Sequence, residues 1–167
     1  MDKITKLEKE IEVSLRKLVK IAKNKEDIGS SWWTNSIKES LLKIGKKHKY
    51  RVAANRCKGA TEEYEFLWDM VWYVQQGEFM DRIVLAMESE MRTNAEIDED
   101  FYKLLPALAD LRLWIFQTNT EELAKKLITE CQETINNFNG LPKGAKFLLF
   151  GLSWNPRDFY GGPYVKP

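Results

Sequence analysis

The chain is 167 residues long, with 44% apolar residues, 31% charged residues and a formal net charge of +1. This length suffices for a hydrophobic core without disulfides, and near-neutrality argues against a histone-like or polyanionic protein. No apolar run is long enough to span a bilayer, and the N-terminus leads into a charged segment. We therefore expect a cytoplasmic protein with no membrane contact.

The charge is divided unevenly along the chain. Residues 1–60 carry 16 Lys and Arg against 7 Asp and Glu, whereas residues 61–167 carry 10 against 18. A basic half and an acidic half therefore share one small chain, and each half needs an explanation.

Cysteine and histidine are too sparse for several kinds of site. Cys57 and Cys131 are far apart and lie in no CxxC or CxxH pattern, which argues against a zinc ribbon or thioredoxin-type chemistry. The single histidine, His48, lies in a Lys-rich run, so a Ser/His/Asp or Cys/His nucleophile system has no support. We expect two structural thiols in a reducing compartment.

The first third of the chain predicts two helices and a short strand. Apolar residues recur at steps of three and four over residues 1–24, which predicts an amphipathic helix. This helix either packs on the rest of the chain or pairs with its copy in a homodimer. Thr34 or Ser36 is suited to cap a second helix, which ends near Gly45, and residues 50–54 follow as a strand.

From residue 61 onward, the hydrophobic pattern alternates between strands and helices. A hairpin, a helix, a strand, a helix and a strand are expected in turn, over residues 66–74 and 83–91, 94–106, 111–116, 120–138 and 145–152. Asn94 or Asp98 and then Thr120 are the expected N-caps, and the Gly- and Pro-rich tail is expected to be irregular. The order α-α-β-β-β-α-β-α-β predicts an α/β fold whose mixed β-sheet is flanked by helices on both faces.

Three acidic residues lie in the predicted hairpin. Asp69 interrupts an apolar run, and Glu88 and Glu90 close the second strand on one face. Ionised carboxylates are costly to bury, and three together raise one another's pKa values. Mg²⁺ or Mn²⁺ bound by all three would resolve both problems. In the other interpretation, Asp69 pairs with a basic side chain and the two glutamates are exposed to solvent.

Four segments resemble the core of the PD-(D/E)xK nuclease superfamily, also called the restriction-endonuclease-like fold. They are EFLWDMVW at 65–72, LAMESEM at 85–91, DFYKLL at 100–105 and LRLWIF at 111–116. The superfamily core is α-β-β-β-α-β, which is the order predicted over residues 34–117. The resemblance therefore implies one domain, in which residues 1–24 are an added helix and residues 118–167 a helix–strand extension.

The resemblance also implies a Mg²⁺-dependent nuclease that hydrolyses phosphodiester bonds. Asp69 matches the metal-binding Asp of the superfamily, and Glu88 matches the Glu of its third strand. Glu39 matches an acidic residue that some members carry on the preceding helix.

One position departs from the superfamily pattern, because the expected ExK reads Glu88-Ser89-Glu90. Lys103 on the following helix is either the substitute for the missing lysine or an exposed lysine paired with a nearby acid. The resemblance thus implies a catalytic set of Asp69, Glu88, Glu90 and Lys103.

The basic half predicts a surface for nucleic acid, with DNA expected rather than RNA. The candidate residues lie in the second helix and just after it: Lys38, Lys43, Lys46, Lys47, Lys49 and Arg51. In the alternative interpretation, this run of basic residues is a solvent-exposed face that binds no partner. If the missing lysine means lost catalysis, the chain is instead an inactive nuclease-fold member that binds nucleic acid or protein.

Overall fold

The computed structural model describes residues 2–25, 28–93, 97 and 99–167. This part of the chain forms helices and strands in the following order: α1 (Lys3–Lys23), α2 (Ser30–Lys47), β1 (Arg51–Ala54), β2 (Met70–Gln76), β3 (Phe79–Thr93), α3 (Glu99–Leu104), β4 (Ala109–Thr120), α4 (Glu121–Asn137), β5 (Lys146–Asn155) and β6 (Arg157–Val165).

The strands form one mixed sheet in the order β1-β2-β3-β4-β5-β6. β1, β2 and β3 are antiparallel neighbours, β3, β4 and β5 are parallel neighbours, and β6 is antiparallel to β5. Parallel neighbours need crossover connections, and α3 and α4 lie in those connections. The predicted α/β class, with a mixed sheet flanked by helices, is confirmed.

Each face of the sheet carries its own apolar core. α1 and α2 cover one face, where Ile11 and Leu41 are fully buried, and α3 and α4 cover the other, where Phe101 is fully buried. Successive residues of β4 serve both cores, since Leu113 belongs to the first and Trp114 to the second. Within the described ranges, no helix is both long and apolar enough to cross a membrane.

The first residues of α2 and α4 show which sequence signals determine where a helix begins. Thr120 caps α4 as predicted, accepting a hydrogen bond from the Leu123 N–H at 3.2 Å. The predicted start of α2 at Thr34 or Ser36 is wrong, because the helix begins at Ser30. Its first turn is anchored by the buried ring of Trp33. The predicted caps of α3, residues 94 and 98, lie outside the described residues.

The prediction of an irregular C-terminal tail is wrong, because residues 157–165 form strand β6 along the whole length of β5. Gly161 makes this pairing possible, with a φ of 103° and a site where a Cβ atom would lie 2.1 Å from the Leu149 carbonyl oxygen. Pairing with β5 supplies the backbone hydrogen bonds that the composition of the tail did not indicate.

Helix α2 lies close against the sheet at Gly45. A Cβ atom there would lie 2.9 Å from Val52 Cγ2 and 3.1 Å from Trp72 Nε1. Lys38 lies seven residues before Gly45 on the same helix, which is about two turns, so both residues face the sheet. The close approach at Gly45 therefore helps to bring Lys38 to the sheet.

We expect Gly45→Leu to destabilise the protein by roughly 1–3 kcal/mol, because the new side chain forces α2 away from β1 and β2. The measurement is the free energy of unfolding from denaturant titration. Gly162→Ala is the matched control, since a Cβ atom at Gly162 meets nothing within 4 Å. Equal unfolding free energies for both variants would contradict the close approach.

Candidate functional site

Asp69 lies where β2 begins, and its carboxylate is held from two sides. Its Oδ2 atom accepts hydrogen bonds from the backbone N–H and the hydroxyl of Ser89, at 3.0 and 2.8 Å. Its Oδ1 atom accepts one from the Lys38 ammonium at 3.1 Å. The sequence predicts a strand running through Asp69, whereas β2 starts at the next residue, after Leu67 with its left-handed φ of 64°.

Lys38 is a buried residue of this site that the sequence interpretation placed on the basic surface. It is 7% exposed, and its ammonium also donates a 3.4 Å hydrogen bond to the Asn55 carbonyl. The pairing of Asp69 with a basic side chain confirms that part of the alternative interpretation. The signal for Lys38 was its spacing, because Leu41 and Leu42 follow it by three and four residues on the same helix.

Glu88 is the most perturbed carboxyl group of the site. It is only 4% exposed, and its Oε1 atom has no hydrogen-bond partner among the described residues. Burial, followed by the negative charges of Asp69 and Asp100, raises the Glu88 pKa to about 8. Glu88 is therefore largely protonated at neutral pH.

Lys103 approaches Glu88 from α3 without forming a hydrogen bond to it. Its Nζ atom lies 3.9 Å from Glu88 Oε1 and accordingly favours the ionised form of that carboxyl group. The same ammonium donates a hydrogen bond to Asp100, and the Lys103 side chain is 51% exposed. Lys103 thus pairs with a nearby acid and also lies within electrostatic reach of the site.

Glu90 is buried and paired with its neighbour Arg92. The backbone N–H of Arg92 donates to Glu90 Oε1 at 2.6 Å, and its guanidinium donates to Oε2. Burial alone would raise the Glu90 pKa, but the bonds from Arg92 outweigh it and hold the pKa below its ordinary value. The expectation that Glu88 and Glu90 are exposed in the alternative interpretation is wrong, because both are buried.

A polar cleft of about 660 Å³ opens beside these groups, between the start of α2 and the ends of the strands. It is lined by Ser30, Ser31, Thr34, Asn35, Lys38, Asn55, Arg56, Asp69, Ser89, Glu90, Met91 and Arg92. Asp69, Glu90 and Lys38 thus meet at one cleft, whereas Glu88, Lys103 and Glu39 do not line it. Glu39 is exposed on α2.

The donor set fits the predicted Mg²⁺ or Mn²⁺ only in part. Across residues 2–25, 28–93, 97 and 99–167, no three acidic, His or Cys side chains are grouped closely enough to hold a metal together. Asp69 and Glu90 are already neutralised by Lys38 and Arg92. Glu88 Oε1, which has no hydrogen-bond partner among the described residues, does fit a cation. Mg²⁺ needs only one or two carboxylates when water and phosphate complete its shell.

The predicted basic surface divides into two sets. Lys47 is paired with Glu10 and Arg51 with Glu62, so these two cations, like Lys38, are already matched by a carboxylate. The others are exposed: Lys43, Lys46 and Lys49. The set of cations that lack a carboxylate partner among the described residues is therefore smaller than the sequence predicts.

Neither cysteine contributes a reactive group. Both are buried and unlinked, as expected for structural thiols. Burial raises the pKa of the Cys131 thiol to about 12 and raises that of Cys57 as well. A thiolate nucleophile is accordingly disfavoured at both positions.

No family model, curated protein or solved structure matches this chain. The resemblance to the PD-(D/E)xK superfamily stays a hypothesis that depends on the residues and their arrangement.

The raised pKa of Glu88 predicts how the free energy of unfolding depends on pH. The folded protein holds this proton up to about pH 8, whereas the unfolded chain releases it near the ordinary value of 4.5. The contribution of Glu88 to stability is therefore greatest below that ordinary value and falls as pH rises toward the folded pKa. Glu88→Gln keeps the shape of the protonated acid without its titration.

We expect Glu88→Gln and the wild type to have similar unfolding free energies near about pH 5. Near about pH 9 the variant should be more stable by a few kcal/mol, because only the wild type then carries a buried charge. Denaturant titrations at both pH values measure this difference. The exposed Glu133→Gln serves as control. If the difference in unfolding free energy between Glu88→Gln and the wild type stays constant with pH, the pKa of Glu88 in the folded protein is not raised.

Proposed function

We propose that this protein is a divalent-metal-dependent nuclease of the restriction-endonuclease-like kind, which hydrolyses phosphodiester bonds in nucleic acid. The expected substrate is DNA. The observation that carries the proposal is the buried Glu88 carboxyl group, which has an oxygen without a hydrogen-bond partner among the described residues and lies within electrostatic range of Asp69. A buried acid of this kind is costly for the fold and is frequent at catalytic and metal-binding sites.

The order of the elements supports the proposal. From α2 to β4 the chain runs α-β-β-β-α-β, with Asp69 at the start of β2 and Glu88 within β3. This is the order of the superfamily core, and it leaves α1, α4, β5 and β6 as additions. The exposed Lys43, Lys46 and Lys49, in the second half of α2 and just after it, provide positive charge for a polyanion.

Glu88 and Asp69 would hold the cation, with water and phosphate oxygens as its remaining ligands. The chemistry that a bound Mg²⁺ would supply there is polarisation of the phosphodiester and a lower pKa for the attacking water. The chain's own residues prepare the site: Lys103 partly offsets the negative charge around Glu88, and Arg56 and Arg92 are among the residues that line the cleft.

Because a carboxylate must lose its proton before it binds a metal, the affinity for Mn²⁺ should rise with pH until Glu88 is ionised, near its pKa of about 8. The proton is released to solvent on binding. The raised pKa of Glu88 thus sets the pH range in which the site would bind a metal ion.

An inactive nuclease-fold protein that binds nucleic acid or protein is the second candidate function. The observation in its favour is that two of the three carboxylates are already neutralised, Asp69 by Lys38 and Glu90 by Arg92. In that case the cleft and the lysines of α2 form a binding surface without chemistry.

The test is a Mn²⁺ titration by calorimetry, followed by cleavage assays on single-stranded, double-stranded and branched DNA and on RNA. We expect cleavage by the wild type and a loss of about 100-fold in rate for Asp69→Asn and for Glu88→Gln. Glu133→Gln, which removes a carboxylate far from the cleft, should retain the wild-type rate.

Cleavage that persists undiminished in both site variants would contradict the proposal. An absence of Mn²⁺ binding at millimolar concentration, together with retained DNA binding, would favour the inactive member.

A further inference from the structure

Lys38 has a hydrogen-bonding capacity that its contacts in the fold do not use up. An ammonium group has three N–H donors. In the described part of the chain its acceptors are Asp69 Oδ1, at 3.1 Å, and the Asn55 carbonyl, at 3.4 Å. Lys38 also lines the polar cleft, so one N–H remains for a ligand there.

Lys38 is held in place far more firmly than an ordinary surface lysine. It is 7% exposed, and the close approach of α2 to the sheet at Gly45 fixes the helix that carries it. A buried ammonium loses little further side-chain entropy when it binds a phosphate, and its charge is only weakly screened by solvent.

Lys103, the lysine that the sequence points to, has different surroundings. It does not line the cleft, its ammonium is bonded to Asp100, and half of its side chain is exposed. Its charge acts on Glu88 from the side of α3. The two lysines therefore approach the pair of carboxylates from opposite faces of the sheet, and only Lys38 approaches through the cleft.

We propose that Lys38 is the phosphate-contacting lysine of this site, taking the place of the lysine that is missing from Glu88-Ser89-Glu90. Its free N–H donates a hydrogen bond to a non-bridging phosphate oxygen of nucleic acid in the cleft. Asn35 and Arg56 supply further donors along the same wall. This inference rests on the proposed function for its substrate class, but it makes a claim about binding that does not require cleavage.

Lys38→Met alone would leave the Asp69 carboxylate without its counter-ion. Lys38 is therefore removed in an Asp69→Asn background, where the new amide oxygen and the Asn55 carbonyl can still accept hydrogen bonds from the Lys38 ammonium of the single variant. The comparison is therefore between Asp69→Asn and the double variant Lys38→Met with Asp69→Asn. Both are titrated in EDTA with a short fluorescein-labelled DNA duplex that has single-stranded ends, at several salt concentrations, with fluorescence anisotropy as the measurement.

We expect the double variant to bind DNA about tenfold more weakly than Asp69→Asn, with a salt slope smaller by about one, as for the loss of one phosphate contact. The matched control is Lys17→Met with Asp69→Asn, which removes an exposed lysine of α1. It should bind within about twofold of Asp69→Asn. A lysine with a merely structural role would leave the salt slope unchanged.

Equal affinity and equal salt slope for Asp69→Asn and the double variant would overturn the assignment of Lys38, whatever the cleavage assays show. If the wild type cleaves no substrate while the double variant still binds DNA more weakly than Asp69→Asn, that result would contradict the proposed hydrolysis but support the phosphate contact of Lys38. If the wild type cleaves, Lys38→Arg should retain DNA affinity better than turnover, because the guanidinium keeps the charge but not the position of the ammonium.

Discussion

The ion pair between Lys38 and Asp69 connects helix α2 to the point where β2 begins. Removing either partner would leave an uncompensated charge in a poorly solvated place, which typically costs several kcal/mol. The geometry around the pair is set from outside it, by the close approach of α2 at Gly45 and by the two hydrogen bonds from Ser89. The position of the cleft, which opens beside the pair, depends on these contacts.

Asp69, Glu88 and Glu90 avoid an uncompensated negative charge in three different ways. Asp69 is matched by a lysine, Glu90 by the adjacent Arg92, and Glu88 by a proton that it retains to about pH 8. With a pKa of about 8, Glu88 changes its charge state near neutral pH. Under the proposed function, Glu88 is the group through which a cation would act on the site.

Sequence reasoning succeeded where the deciding contacts are local. The Thr120 cap, the amphipathic periodicity of α1 and the apolar strand β4 depend on residues within a few positions of one another. It failed for β6, whose hydrogen bonds come from β5, and for the start of α2, which depends on the burial of Trp33. It identified Asp69 and Glu88 as unusual but misplaced Lys38, since helical spacing alone does not say which lysine meets an acid.

The amino-acid sequence by itself determined the α/β class, the order of the elements and the acidic residues that need compensation, because periodicity and the cost of burying charge are local properties. Tertiary structure decided that Lys38 compensates Asp69, whereas Glu90 is compensated by Arg92, two residues away in the chain. It also decided that half of the predicted basic surface is already paired, through Lys38, Lys47 and Arg51. The physical reason is that electrostatic energies depend on distances of a few ångströms between residues far apart in the chain.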